Sequence, residues 1–434
     1  MLLKNFNATL KNKNWKNLPR LFYPILMLYR RRLKFLFRRR SILFLHKNFG
    51  SKIITRDDLL INHEKYHVRR FGCEELVTAS EPSTLGKTQI EIEKIIYPFK
   101  LTFGKPFVCE VPDAELVGPN AIGFNRDGGI VSDTSIALFS QVGNLKKYIS
   151  IRTLALKKLS RLSPTKLDTA CSLVHPWSKI YFHWIADCLT RIEGLEAYQA
   201  QTGIKPALII ESNLASWQID SLKLLGYEPD DCIPWHSSRV QVKKLIVPSF
   251  RRHWGDYNTT YKSYGPVVSP LACRWLRQRI LSNLPDAESE QLFFSPKIFI
   301  SRRKAVQRRI INEDKVIEAL APFGFVAYAL EELSFSEQVR LFSQANMVVA
   351  PHGSGLTNIV FSQNLTVIEL FGSYVAGPSL TLFANLSRGL GFRYGCLRGQ
   401  SPSQDSRQLH ADIIVDIAEL GNLVTKMQEE SSCQ

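Results

Sequence analysis

The sequence predicts an α/β protein made of two successive Rossmann-like halves behind a basic amino-terminal arm. Three observations predict it. Short apolar runs alternate with helical patterns from about residue 168, and the alternation restarts after residue 290. A Pro-, Ser- and acid-containing stretch, 284–290, separates the two series. The 434 residues exceed one ordinary core, and a composition 45% apolar and 11% aromatic supplies enough side chains for two. The expected units are 1–50, 51–285 and 286–434.

The arm comes first. Residues 1–50 hold six lysines and seven arginines and no Asp or Glu, so most of the net charge of +17 resides there. Its longest uncharged apolar run, 21–29, is nine residues and contains Pro24, well short of the roughly 20 needed to span a bilayer. Arg30, Arg31 and Arg32 follow it, unlike a secretory leader. Cations interleaved with Leu, Phe and Tyr suit the surface of an anionic membrane, each contributing about 1 kcal/mol near it. The expectation is therefore a cytoplasmic protein, peripheral at the inner face of the membrane; a solvated basic tail is the plainer reading, and nucleic acid is not an expected partner. Eight scattered cysteines without a CxxC pair or zinc spacing suggest free thiols, with Cys188 in a core.

Residues 107–111 read as a strand, and Asp127-Gly128 marks a hairpin. A long helix is predicted from Tyr181 to about Gln201, stopped near Gly203; a strand at 207–210, a helix over 216–225 ended by Gly226, and a strand at 240–247 follow. In the second series, 298–300 is a short buried strand. Asn312 is placed to cap a helix whose first turn carries Glu313 and Asp314, stopped by Gly324. Residues 325–330 form the next strand, and Ser334-x-x-Glu337 is a capping box opening a helix to about Ala345. Strands at 347–350 and 366–370 and a helix from about 379 to 388 complete the pattern.

Four features bear on chemistry. The strand ending at Ala350 breaks into Pro351-His352-Gly353-Ser354-Gly355-Leu356-Thr357-Asn358 before a helical pattern begins. Free amides at a helix start, with glycines admitting a close approach, suit an anion or diphosphate; a tight turn capped by His352 is the plainer reading. It is neither a Walker A loop nor a nucleophile elbow. Glu369 sits in an otherwise apolar strand, where it suits a ribose diol or a structural ion pair. Arg302, Arg303, Lys304, Arg308 and Arg309 follow the strand 298–300 and would face a diphosphate or solvent. His183, Asp187 and Arg191 are spaced by four, on one helical face, as a surface network or as the lining of a cleft with a general base and an anion-holding arginine. No Asp-x-Asp occurs, so no metal site or cofactor is expected, and arginines and helix starts would have to neutralise a leaving group.

Taken in order, Tyr181-Phe182-His183-Trp184-Ile185-Ala186-Asp187 with Arg191, Arg302, Arg308-Arg309-Ile310-Ile311-Asn312-Glu313, 332–338, Pro351–Asn358 and Glu369 resemble the signature of glycosyltransferase family 61 over roughly residues 170–375. Ser354 stands where the family usually has alanine. The resemblance implies a GT-B fold, with two Rossmann-like domains facing across a cleft, and inverting transfer from a nucleotide sugar, expected to be a UDP-sugar, to a glycan or glycoconjugate hydroxyl, in bacterial members for capsule or exopolysaccharide. For that reaction, Asp187 or His183 is expected as the base with Arg191 beside them, and donor contacts are expected from Arg302, Arg308, Arg309, His352, Gly353, Ser354, Gly355, Thr357, Asn358 and Glu369. A non-catalytic nucleotide-sugar-binding scaffold and, more remotely, a hydrolase using Ser354 are the alternatives.

Overall fold

The computed structural model describes residues 53–79, 83–84, 99–135, 165–236, 239–253, 265–285, 293–373, 381–402 and 411–432. The arm 1–50 and most of the expected linker, 286–290, lie outside these. Two sheets organise the rest.

The first sheet is mixed. Its order is Ile53–Ile54, Ile130–Val131, Ile122–Phe124, Phe107–Val117, Arg239–Pro248, Thr165–Ser172, Ala207–Glu211 and Ile233–Trp235, with Arg69–Arg70 also paired to Phe107–Val117. The last four strands of the path run parallel, while Phe107–Val117 runs antiparallel to Arg239–Pro248. The predicted hairpin is present, with Phe124 opposite Ile130. The strand expected at 107–111 extends to Val117; after the exposed Pro112 and Asp113 its burial resumes at Ala114, Leu116 and Val117.

The second sheet is wholly parallel, in the order Val326–Ala329, Lys297–Ser301, Met347–Pro351, Thr366–Phe371, Arg393–Arg398 and Ser83–Thr84. Near-continuous apolar runs such as Met347–Pro351, buried throughout, are what a sheet covered on both faces requires. The first five strands follow the doubly wound order 2-1-3-4-5, which reverses between Lys297–Ser301 and Met347–Pro351. In the first sheet the reversal lies between Thr165–Ser172 and Arg239–Pro248. A crevice opens beyond the carboxyl ends of the strands at such reversals.

The predicted helices form with local corrections. The span 181–202 is helical but not one α-helix: a short α turn, Tyr181–His183, leads into a π segment, Trp184–Cys188, a 3₁₀ turn, Leu189–Arg191, and the α-helix Ile192–Thr202. Gly203 ends it with φ +73°, a left-handed cap that costs glycine little. Asn312 precedes Glu313–Leu320 but does not cap it; its side chain exchanges two hydrogen bonds with the backbone of Val415. The Ser334 capping box is formed as expected. Pro270–Ser282, Arg393–Arg398 and Ile417–Ser432 were not foreseen. The first of these had a signal: Ser269 caps it and Pro270 occupies its first turn.

One core cluster runs between the halves. Trp184, Leu189 and Tyr198 from the helical span 181–202 are buried in the same cluster as Phe335, Phe342, Leu356, Ile359 and Phe361. Each such side chain contributes about 1.5–3 kcal/mol when fully buried. Among the described residues no helix is long and apolar enough to cross a membrane. All seven described cysteines are free, and Cys188 lies in the core as expected.

Candidate active site

The Thr165–Ser172 strand delivers the chain to His175, and Arg239–Pro248 delivers it to Arg252, so both ends of the first reversal carry polar side chains. Arg191 fills the reversal itself. It is buried, with its Nε donating to Pro248 O (3.2 Å), Nη1 to Ser172 O (3.0 Å) and Nη2 to Asp133 O (3.4 Å), while its guanidinium lies 4.5 Å from the Phe250 ring centre. The expectation that Arg191 shares a face with His183 and Asp187 fails. A π turn holds more residues than an α turn, so positions beyond it rotate off the stripe and Arg191 turns to the sheet. It ties two strand ends together instead of holding an anion.

His183 and Asp187 do meet. The imidazole Nδ1 donates to Asp187 Oδ2 at 2.6 Å, and Arg252 Nη1 donates to the same oxygen at 2.9 Å. Asp187 is wholly buried, whereas His183 keeps 17% of its side chain exposed, so only the imidazole edge reaches the crevice. Burial works to raise the Asp187 pKa, but Arg252 and His183 outweigh it and hold the carboxyl below its ordinary value. Burial dominates at His183 and lowers its pKa despite the hydrogen bond to Asp187. Trp177 stacks on the imidazole, centroids 4.9 Å apart at 30°, and His175 packs edge-on at 6.3 Å. Arg252 escaped the sequence reading; its position a few residues beyond a strand's carboxyl end was the available clue.

The second half repeats the device. His352 leaves the Met347–Pro351 strand, and its Nδ1 donates to Glu369 Oε1 at 2.5 Å; the Tyr394 hydroxyl donates to Glu369 Oε2 at 2.5 Å. Glu369 is wholly buried in the Thr366–Phe371 strand with both oxygens engaged, so it orients His352 and is not open to a ribose diol. The two histidines are linked through aromatic contacts: His183–Phe182 at 5.3 Å, Phe182–Phe383 at 5.9 Å and Phe383–His352 at 5.7 Å. The Tyr181 hydroxyl also donates to Asn358 Oδ1 at 2.5 Å.

After His352 the chain enters Ser354–Phe361, a 3₁₀ rather than an α-helix. Its first amides still lack intrahelical acceptors. The glycines leave room for neighbours: a Cβ at Gly353 would lie 2.9 Å from Arg302 Nη1, and one at Gly355 would lie 2.9 Å from Leu330 Cδ1, so either would displace the tip of that side chain. So it is an arginine, not only a ligand, that the missing side chain admits. Asn358 is structural, its Nδ2 donating to Gln338 Oε1 and Gly355 O, while the buried Thr357 Oγ1 has no hydrogen-bond partner. Ser354 is half-buried, and among the described residues no imidazole hydrogen-bonds its hydroxyl; the Nδ1 of the nearby His352 is engaged by Glu369.

The five cations of 302–309 separate into two groups. Arg303 pairs with Glu313 and Asp314, Lys304 with Glu332, and Arg309 with Asp412 at 2.7 Å. Arg309 is thus held at Asp412 by a forked ion pair, away from the role expected of it. Arg302 and Arg308 pair with no carboxylate among the described residues. Arg302 donates to Gln307 O (3.0 Å), Arg308 to His352 O (2.9 Å), and the Nε of each is buried without a partner. Burial lowers both pKa values, and Arg302 lowers that of Arg308 further, which sets the two like charges close together. Arg308 also has φ +55°, a strained backbone for a bulky residue, costing about 1–3 kcal/mol. Two close cations, one strained and neither in direct ion-pair contact with a carboxylate among the described residues, suit a bound dianion, although Glu331 and Glu369 act on them from further away. Among the described residues no group of three or more His, Cys, Asp or Glu is arranged to hold a metal.

Residues 181–368 match the model of a family described as Glycosyltransferase 61, from Tyr181 to one residue short of Glu369. The chain is 29% identical over 130 residues to protein O-linked-mannose beta-1,4-N-acetylglucosaminyltransferase 2 of Xenopus laevis, covering 29% of this chain and 22% of the relative. It is 31% identical over 81 residues to the EGF domain-specific O-linked N-acetylglucosamine transferase of Gallus gallus, covering 17% and 15%. To the beta-1,2-xylosyltransferase of Arabidopsis thaliana it is 30% identical over 93 residues, covering 18% and 17%. These matches span about a fifth or less of the relatives' own lengths.

Proposed function

Residues 181–368 belong to glycosyltransferase family 61, and from that premise we propose that the chain moves a sugar from a nucleoside-diphosphate donor to a hydroxyl acceptor with inversion. The donor is a UDP-sugar and the acceptor a glycan or glycoconjugate of a cell-surface or extracellular polysaccharide. The two halves, 51–285 and 286–434, act in the GT-B manner, the first presenting the acceptor and the second the donor. The arm 1–50 keeps the enzyme at the inner face of an anionic membrane.

The observation that carries this reading is the pair Arg302 and Arg308, two cations without a carboxylate partner beside the glycine loop. The donor diphosphate lies against them and the amides of Gly353, Ser354 and Gly355. His352, next to the same loop, is fixed through its Nδ1 by Glu369. His183 is the base. Its Nδ1 is committed to Asp187, which leaves Nε2 to take the acceptor proton as the acceptor oxygen attacks the anomeric carbon. The bond to the diphosphate breaks on the opposite face, and the charge that develops there is met by the two guanidiniums. Asp187 orients the base instead of acting as one, since burial closes it to any acceptor.

Calorimetric titration with UDP tests the donor half of this reading. The native chain should bind, and Arg302→Ala and Arg308→Ala should each weaken binding. Unchanged affinity in both variants contradicts the assignment. A chain that binds UDP-sugars but transfers and hydrolyses none would be a scaffold.

A further inference from the structure

Arg252 stands outside every motif of the sequence, yet it reaches the dyad from a different element. It lies four residues beyond Arg239–Pro248, 65 positions from Asp187. Its side chain is 3% exposed, its Nη1 donates to Asp187 Oδ2 at 2.9 Å, and the same nitrogen lies 3.5 Å from His183 Nδ1. The guanidinium rests 5.1 Å from the Phe182 ring centre. One carboxylate oxygen is thus shared between an imidazole and a guanidinium, while Asp187 Oδ1 is buried without a partner.

We propose that Arg252 is a positioning residue that keeps Asp187 ionised and its Oδ2 turned to His183, which fixes the imidazole with its proton on Nδ1 and its lone pair on Nε2, toward the acceptor. This rests on the reading of His183 as the base. A permanently charged guanidinium donates and cannot accept, so the oxygen it holds must be an acceptor. An ionised Oδ2 then demands a proton on His183 Nδ1. The same charge opposes protonation of the ring beside it. His183 also faces the buried His175 at 6.3 Å, while Trp177 and Phe182 bring no charge. His175 is itself held neutral, lowered to about 3 chiefly by burial. Arg252 is then the one full positive charge among these neighbours of the ring, and it guards the neutral form the base needs.

The test is ¹⁵N NMR of histidine-labelled protein, with the His183 signal identified by its loss in His183→Gln. In the native chain His183 should carry its proton on Nδ1 near neutral pH. In Arg252→Gln the ring should gain a proton more readily, its titration moving up by about one pH unit or more, and Arg252→Lys should restore most of the native behaviour. An unchanged tautomer and titration in folded Arg252→Gln overturns the proposal. Should Arg252→Gln not fold, Arg252→Gln/Asp187→Asn, which removes both buried charges, is compared with Asp187→Asn alone. A His183 titration that lies higher in the double variant supports the assignment, and equal titrations overturn it. None of these readouts needs a donor or acceptor, so absence of transfer with every nucleotide sugar would sink the enzymatic reading while the NMR result still decides the role of Arg252.

Discussion

In the proposed mechanism His183 takes the proton and Arg308 meets the phosphate, and each makes a prediction of its own. His183→Gln should lower transfer by about 10²–10⁴-fold and leave UDP affinity unchanged; Asp187→Asn should behave alike, because it frees the ring to adopt the wrong tautomer. Full turnover in either variant removes the dyad from the mechanism. Arg302→Ala and Arg308→Ala should each cost about 1.5–3 kcal/mol of UDP binding, read by calorimetry, whereas Arg309→Ala should cost none. The sequence grouped these arginines and could not separate them. What separates them is Asp412, 103 positions along the chain, which claims Arg309. Glu369 illustrates the same limit from the other side: its strand was legible, but the imidazole and phenol that saturate its oxygens were not.

At the scale of elements, the helical span 181–202 was legible by its apolar pattern and its glycine stop, while its π segment was not. Spacing by four assumes an unbroken α-helix, and the local widening at Trp184–Cys188 removes Arg191 from the cleft. Arg191 now joins the ends of two strands through backbone carbonyls, so Arg191→Met should destabilise the fold in urea unfolding by about 1–3 kcal/mol for each buried carbonyl left unpaired, with little effect on UDP affinity once folded. A stable Arg191→Met that fails to bind UDP would return Arg191 to the site. His175, just after Thr165–Ser172, gives this element an acid weakness. Burial lowers it to about 3, below its ordinary value in the unfolded chain, so the unfolded state takes up the extra proton. Its contribution to stability is complete above about pH 6.5 and is lost as pH falls toward 3, by up to about 1.4 kcal/mol per pH unit. Unfolding free energies followed across that window should fall less steeply in His175→Phe; equal slopes would mean that another group controls acid unfolding.

Over the whole molecule, the alternation of apolar runs and helices foretold the parallel second sheet and the four parallel strands of the first, because buried parallel strands leave a strong pattern, but not the antiparallel strands that make the first sheet mixed. It did not foretell Ser83–Thr84 at the edge of the second sheet, a pairing of two residues without periodicity of their own. Nor could it show that the two strand-order reversals each carry a histidine fixed by a buried carboxylate, joined through Phe182 and Phe383. That convergence brings the separate motifs together, and in the proposed mechanism it is where donor and acceptor meet. A crystal structure with UDP bound tests it most directly. The account predicts the diphosphate within hydrogen-bonding distance of the Arg302 and Arg308 guanidiniums and of the amides of residues 353–355. A nucleotide bound elsewhere, with those guanidiniums unoccupied, would contradict it.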